Sequence, residues 1–232
     1  MFTKIGAFLG TLSFIAMMAL GIHINAESHS YTAPPTLEQQ LSNTVSITTA
    51  KGIYCSGWVL KDAHVVVTAA HCNEDPTEMM LVDFGDGVNH NFHVQKKGDS
   101  EFNTGPDLMT LTTNDDTVHW PVGMSVCKFK PYYGEELNLI GGPLAYEKSI
   151  TFGTVSNPKR DFSTHSAAGP FINDLIQYDG TLLPGNSGGP AIDSATGCVM
   201  GSGELVIVAT PEAGVPYGLN FLTPVSDLSL LK

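Results

Sequence analysis

Positive charge is scarce in this 232-residue chain: 11 Lys and Arg stand against 23 Asp and Glu, for a formal net charge of −12. Phosphate-backbone affinity comes mainly from Lys and Arg, so this balance argues against a nucleic-acid partner, and solubility is reason enough for the acidity. Cysteine is also sparse. The four present include no C-x-x-C pair, which leaves a zinc or thioredoxin-type site without support. No internal repeat and no long helical period occur, and no appended domain that could present substrate is expected. What the chain does have is 42% hydrophobic residues, enough to bury a sizeable core in one or two domains. Its 24 glycines and 14 prolines are spread along the sequence, as many short strands joined by tight turns require. An all-β body is expected.

The one long apolar run, Ile5 to Ile24, follows Lys4 and ends at Asn25-Ala26-Glu27. A basic start, an apolar middle and a small residue before the return of polarity predict a signal peptide over residues 1–26. The alternative is an uncleaved anchor, since the run approaches the ~20 residues that span a bilayer. Gly6, Gly10, Thr11 and Ser13 weaken that alternative. Export, secreted or periplasmic and with no stable membrane association after cleavage, suits four cysteines that an oxidising compartment would pair in one of three ways. Residues 27–43 contain Pro34-Pro35 and a possible helical turn at Leu37 to Leu41, and read as a linker or propeptide.

Strand signals start at Val45 to Thr49 and continue at Gly57 to Leu60, Val65 to Thr68, Met79 to Phe84, Asn91 to Val94 and Leu108 to Leu111. After the polar break at Thr112 to Thr117, a second set comprises Ser125 to Phe129, Glu136 to Ile140, Ser149 to Val155, Asp174 to Tyr178, Pro190 to Ile192, Cys198 to Val208 and Tyr217 to Leu222. Two successive sets suit two packed β-barrels, at about 44–120 and about 121–232. Pro224 to Leu231 predicts a short terminal helix with Thr223 as its N-cap.

Three segments carry chemistry. Pro184-Gly-Asn-Ser-Gly-Gly-Pro190 is a glycine-dense turn with a serine at its centre, able to aim the N–H groups of Gly185 and Ser187 into one hollow. A serine hydroxyl is a weak nucleophile, and acyl transfer needs a base to take its proton and donors to hold the oxyanion. Taken alone, such a loop also reads as an ordinary turn between strands. Thr68-Ala-Ala-His-Cys72 ends a β-branched strand on a histidine with small neighbours, although a lone histidine is commonly structural. Cys55, 17 positions before Cys72, is placed so that a bridge could pin the histidine's loop. Asp107 opens the apolar strand Leu108 to Leu111; accepting the N–H of His71 would fix the tautomer that receives a serine proton. By itself this acid is a strand-initiating or turn residue.

Together, Thr68-Ala-Ala-His-Cys72, Asp107-Leu-Met-Thr-Leu111 and Gly185-Asn-Ser-Gly-Gly-Pro190 resemble the three signature blocks of the chymotrypsin-like serine peptidases, in the same chain order of His, Asp and Ser. The resemblance spans roughly Val45 to Leu222. It implies two antiparallel six-stranded β-barrels over 44–232, with a His71/Asp107/Ser187 triad in the cleft and an oxyanion hole at Gly185 and Ser187. It also implies a Cys55–Cys72 disulfide beside the histidine, which leaves Cys127 with Cys198. The activity implied is that of a serine endopeptidase acting on protein or peptide substrates, working as a monomer without cofactor.

The chain departs from the digestive members at Asn186, where they carry an acid that pairs with a freshly cut N-terminus. Gly-Asn-Ser-Gly, with Gln177-Tyr-Asp179 upstream, is more similar to bacterial glutamyl endopeptidases and HtrA-type peptidases, with no PDZ domain expected. Thr181, six positions before the serine, stands where trypsin-like members bind basic side chains through an acid. Gly203-Glu204 falls where glutamyl-specific members carry a pocket histidine. A pocket near Thr181, Leu182 and Gly203 therefore points to small or apolar P1 residues. The alternatives are a catalytically silent binding protein of the same fold and an esterase using the same triad. His90-x-x-His93 with Asp83 and Asp86 reads as a surface strand and turn, not as a metal site.

Overall fold

A computed structural model describes residues 33–98, 106–163, 171–208 and 218–226. The expected signal peptide, residues 1–26, lies outside the described residues. Among the described residues, no helix is long and apolar enough to cross a membrane.

Among the described residues, one α-helix, α1 (Leu37–Ser42), precedes the first strand. Thr36 and Gln39 form a reciprocal capping box: the Gln39 N–H donates to Thr36 Oγ1, and the Thr36 N–H to Gln39 Oε1. The first barrel follows, from β1 (Thr44–Thr49), β2 (Tyr54–Leu60), β3 (Val65–Thr68), β4 (Met80–Asp83), β5 (Asn89–Lys97) and β6 (Met109–Thr112). It closes in the order β1-β2-β3-β6-β5-β4, with Ile47 of β1 opposite both Cys55 and Val82. Closure follows from the sequence pattern, because the β-branched residues at alternate positions bury Val45, Ile47, Val66 and Val82 on one interior. Asp62 and His64 make the β2–β3 turn with positive φ, 60° and 48°.

The second barrel comprises β7 (Glu136–Gly141), β8 (Ser149–Ser163), β9 (Phe171–Tyr178), β10 (Pro190–Asp193), β11 (Val199–Val208) and β12 (Gly218–Pro224), closed as β10-β11-β12-β9-β8-β7. Its core gathers Leu137, Leu139, Ile176, Tyr178, Ala191 and Met200. A third buried cluster joins Trp58 and Val67 of the first barrel to Ile140, Ile192 and Val199 of the second. The barrels therefore share an apolar seam. Lys148 adds a polar clamp, its ammonium donating to the carbonyls of Thr44 (2.8 Å), Phe84 (3.3 Å) and Leu41 (3.4 Å).

Two expectations need correction. Ser125 to Phe129 is not a strand; Val126 makes a single bridge to Val199, held by the N–H of Cys127 to Val199 O and of Val199 to Ser125 O. The charged Lys128 and Lys130 and the following Pro131 give this segment no second row of ladder bonds. Thr223 and Pro224 finish β12 instead of starting a helix, because Thr223 pairs with Ser202 across the sheet. Residues 227–232, where the remainder of that helix would fall, lie outside the described residues.

Candidate active site

Asp107 and His71 meet at the first barrel's end of the seam. His71 lies in a single 3₁₀ turn, Ala70–Cys72, that follows directly on β3. Asp107 is fully buried just before β6, which pairs with β3 through Thr68 and Met109. Neighbouring strands thus deliver both residues to one spot. Asp107 grips the histidine twice, accepting the His71 backbone N–H at 2.7 Å on Oδ1 and hydrogen-bonding ring Nδ1 through Oδ2. Burial pushes the Asp107 carboxyl up, but hydrogen bonds from His71 and Glu204 and the charge of His71 outweigh it and hold the group below its ordinary range. The ring remains about one-third exposed at 35%. Nδ1 is occupied by Asp107, which leaves Nε2 available for proton transfer.

The nucleophile loop is seated on the neighbouring strand β2. Ser56 of β2 is its anchor: its N–H donates to Ser187 O at 2.8 Å, and its hydroxyl donates to Gly185 O at 2.7 Å while accepting the Gly142 N–H at 2.9 Å. Thr68 Oγ1 donates to Ser56 O at 2.7 Å, binding the anchor to the strand that leads into His71. Cys72 Sγ lies 4.0 Å from Ser187 O. Inside the turn, the N–H groups of Asn186, Gly188 and Gly189 donate to Leu183 O, Gly203 O and Asn186 O. Those of Gly185 and Ser187, the pair expected to hold an oxyanion, meet no backbone acceptor among the described residues. Gly185 and Gly188 have φ of +97° and +82°, and a Cβ there would stand 2.2 Å from Gly142 O and 2.1 Å from Thr68 Oγ1. Only glycine fits either place.

Both disulfides match the pairing that the family resemblance implies: Cys55–Cys72, with Cα atoms 6.3 Å apart, and Cys127–Cys198, at 5.0 Å. The first staples β2 to the turn that carries His71. Asn186 is 3% exposed, and its Oδ1 has no partner among the described residues. Of the expected pocket residues, Thr181 is exposed, Leu182 packs in the second core, and Gly203 exchanges two hydrogen bonds with Gly188 and Gly189. His90 and His93 part company: His90 is buried and bonded to Asp115 at 2.8 Å, whereas His93 faces outward.

Two residues escape sequence reasoning. Ser56 is one serine among many in a strand, and no local signal marks it as the loop's anchor. Glu204 reads as a pocket-wall position, yet its side chain is 1% exposed and one carboxyl oxygen lies 3.8 Å from His71 Nδ1. An acid inside a β-branched, apolar strand is the signal that could have singled it out.

Two closed antiparallel barrels, with a histidine held by a buried aspartate and a serine-centred glycine turn on their seam, define the chymotrypsin-like class of serine endoprotease folds. The Trypsin-like peptidase domain matches residues 55–201, and the chain belongs to that family. It is 35% identical over 111 residues to the chloroplastic Protease Do-like 1 of Arabidopsis thaliana, covering 47% of this chain and 23% of that protein. It is 31% identical over 103 residues to the Serine protease Do-like HtrA of Bacillus subtilis (strain 168), covering 43% and 23%. The matches thus take in less than half the length of these curated relatives. Among solved structures, the serine endoprotease from Yersinia pestis superimposes with a TM-score of 0.62 at 20% identity, over 85% of this chain and 65% of that one, a likeness of fold.

Proposed function

We propose that this protein is a serine endopeptidase that hydrolyses peptide bonds through an acyl-enzyme on Ser187. The observation that carries the reading is the double grip of buried Asp107 on His71, beside β2, whose Ser56 anchors the Ser187 turn and is tied to β3 through Thr68. Ser187 Oγ attacks the peptide carbonyl carbon as His71 Nε2 takes its proton, and the N–H groups of Gly185 and Ser187 hold the resulting oxyanion. His71 passes that proton to the leaving amine as the C–N bond breaks. Water then attacks the ester, giving a proton to His71 that returns to Ser187 as the acid leaves.

Asp107 stabilises the imidazolium formed at each step, which its ionised state permits. The buried Asn186 replaces the acid that a zymogen switch would need, so the site is formed without a new N-terminus. The apolar leader and the two disulfides support an exported protein, secreted or periplasmic. A P1 residue that is small or apolar suits the uncharged Thr181. Peptide-library digestion by the purified protein, read by mass spectrometry, tests activity and P1 preference together: cleavage after small or apolar residues is expected, and failure to cleave any peptide returns the silent binding protein as the better reading.

A further inference from the structure

Glu204 is a second buried carboxyl group at the heart of the site, and among the described residues no Lys or Arg forms an ion pair with it. Its strand, β11, pairs with β12 in register at Gly203↔Leu222 and resumes at Leu205↔Phe221, so Glu204 is the extra residue of a bulge. A bulge re-aims the side chain it carries. Here it turns an acid inward, where the ligand atoms of His71, Asp107 and Glu204 all lie within 4.8 Å of one another. Thr223 of β12 donates its hydroxyl to Oε2, and Oε1 is the oxygen on the His71 side. The same strand holds the nucleophile turn through Gly203, one residue away.

Two carboxylates this close cannot both stay ionised in a buried site, and a single proton between them makes one the donor to the other. Asp107 accepts two hydrogen bonds from His71 and keeps acceptor capacity for a third. Building on the triad reading, we propose that Glu204 is a positioning residue, its carboxylic acid donating the hydrogen bond that fixes Asp107 against His71. Burial first, then the charge of Asp107 and the hydrogen bond to it, raise the Glu204 carboxyl well above its ordinary range against the lowering by Thr223, whereas Asp107 is lowered. The proton therefore belongs to Glu204. Catalysis uses Asp107 as the anion and Glu204 as the acid, and the trio carries one negative charge, not two, before His71 is protonated.

Among the described residues, the titratable groups facing Glu204 are His71 from the 3₁₀ turn and Asp107 from the segment before β6; β12 contributes only the neutral Thr223 hydroxyl. Raising the pH through the elevated Glu204 value removes the donor and sets two carboxylates side by side. The loss of kcat that follows forms an alkaline limb contributed by Glu204.

The test uses the full chain and two variants. E204A should lower kcat about 10- to 100-fold with KM nearly steady, the size of losing a hydrogen bond to a charged group. E204Q, whose amide still donates to Asp107, should recover at least about tenfold of that loss and lack the alkaline limb. Infrared spectra of protein labelled with ¹³C-glutamate read the carboxyl without turnover: a protonated-carboxyl band at neutral pH, absent from E204Q and bleached at high pH, is expected. That band survives if the triad assignment fails, so the two failures are distinguishable. Absence of the band in the wild type, superimposable pH profiles for wild type and E204Q, or EDTA inactivation reversed by a divalent cation would each overturn the proposal.

Discussion

Gly188→Ala is the perturbation for which the structure fixes both the cost and its location. At φ +82° an alanine is held in the left-handed region, at about 1–2 kcal/mol. Its Cβ would also stand 2.1 Å from Thr68 Oγ1, 2.4 Å from Ser56 O and 2.7 Å from Ala69 N. Two of those three atoms are backbone and cannot rotate aside, so a further ~1–3 kcal/mol of overpacking is expected. Gly87, at φ +78° with nothing within 4 Å of a Cβ, supplies the control: Gly87→Ala carries the backbone strain alone, about 1–2 kcal/mol. Guanidinium unfolding of both variants should thus place Gly188→Ala below Gly87→Ala by ~1–3 kcal/mol. The displaced atoms include Ala69, just before the His71 turn, and a misplacement of about 1 Å there costs on the order of 100-fold in kcat/KM. Equal stabilities for the two variants, or a Gly188→Ala protein with undiminished turnover, would refute the packing argument.

Ser56→Ala removes the donor to Gly185 O and the acceptor for Gly142 N–H; a stability loss of about 1–3 kcal/mol with a fall in kcat should appear in unfolding and steady-state assays. Removing Cys127–Cys198, which closes a loop of sequence separation 71, should cost about 4 kcal/mol in a chain-entropy account, against about 3 kcal/mol for Cys55–Cys72 with separation 17. Activity should show the reverse order, since Cys72 adjoins His71. Asp115 is lowered to about 2 by the His90 ring, then by the Thr117 hydroxyl and backbone N–H. Its contribution to stability is therefore complete above its unfolded value near 4 and lost as pH falls toward 2. A carboxyl NMR titration should find that midpoint near 2, and His90→Leu should move it upward.

Most of the strands are legible as short runs rich in β-branched and apolar residues set between glycine, proline or polar turns. Val65 to Thr68, matched residue for residue by β3, is the clearest case. Ser125 to Phe129 has the same local composition but lacks a partner along its length, and pairing is a property of the fold, not of the segment. At the proposed site, Ser187, His71 and Asp107 are singled out by their neighbours: glycines that let a turn fold back, alanines that leave an imidazole room, and a strand that must pair its leading acid. Ser56 and Glu204 carry no local signal of the positions they take beside the proposed site. The first acts through hydrogen bonds to a loop 129 positions away. The second depends on a bulge, which no single-strand pattern reveals.

The central claim is that Ser187 is made nucleophilic by His71 and Asp107. Reaction of the purified protein with a fluorophosphonate probe, followed by peptide mapping, tests it most directly. The account predicts one adduct, on Ser187, abolished in Ser187→Ala and strongly slowed in His71→Ala while both variants keep the wild-type fold. Persistent labelling of the same peptide in Ser187→Ala, or an adduct formed as fast without His71, would contradict it.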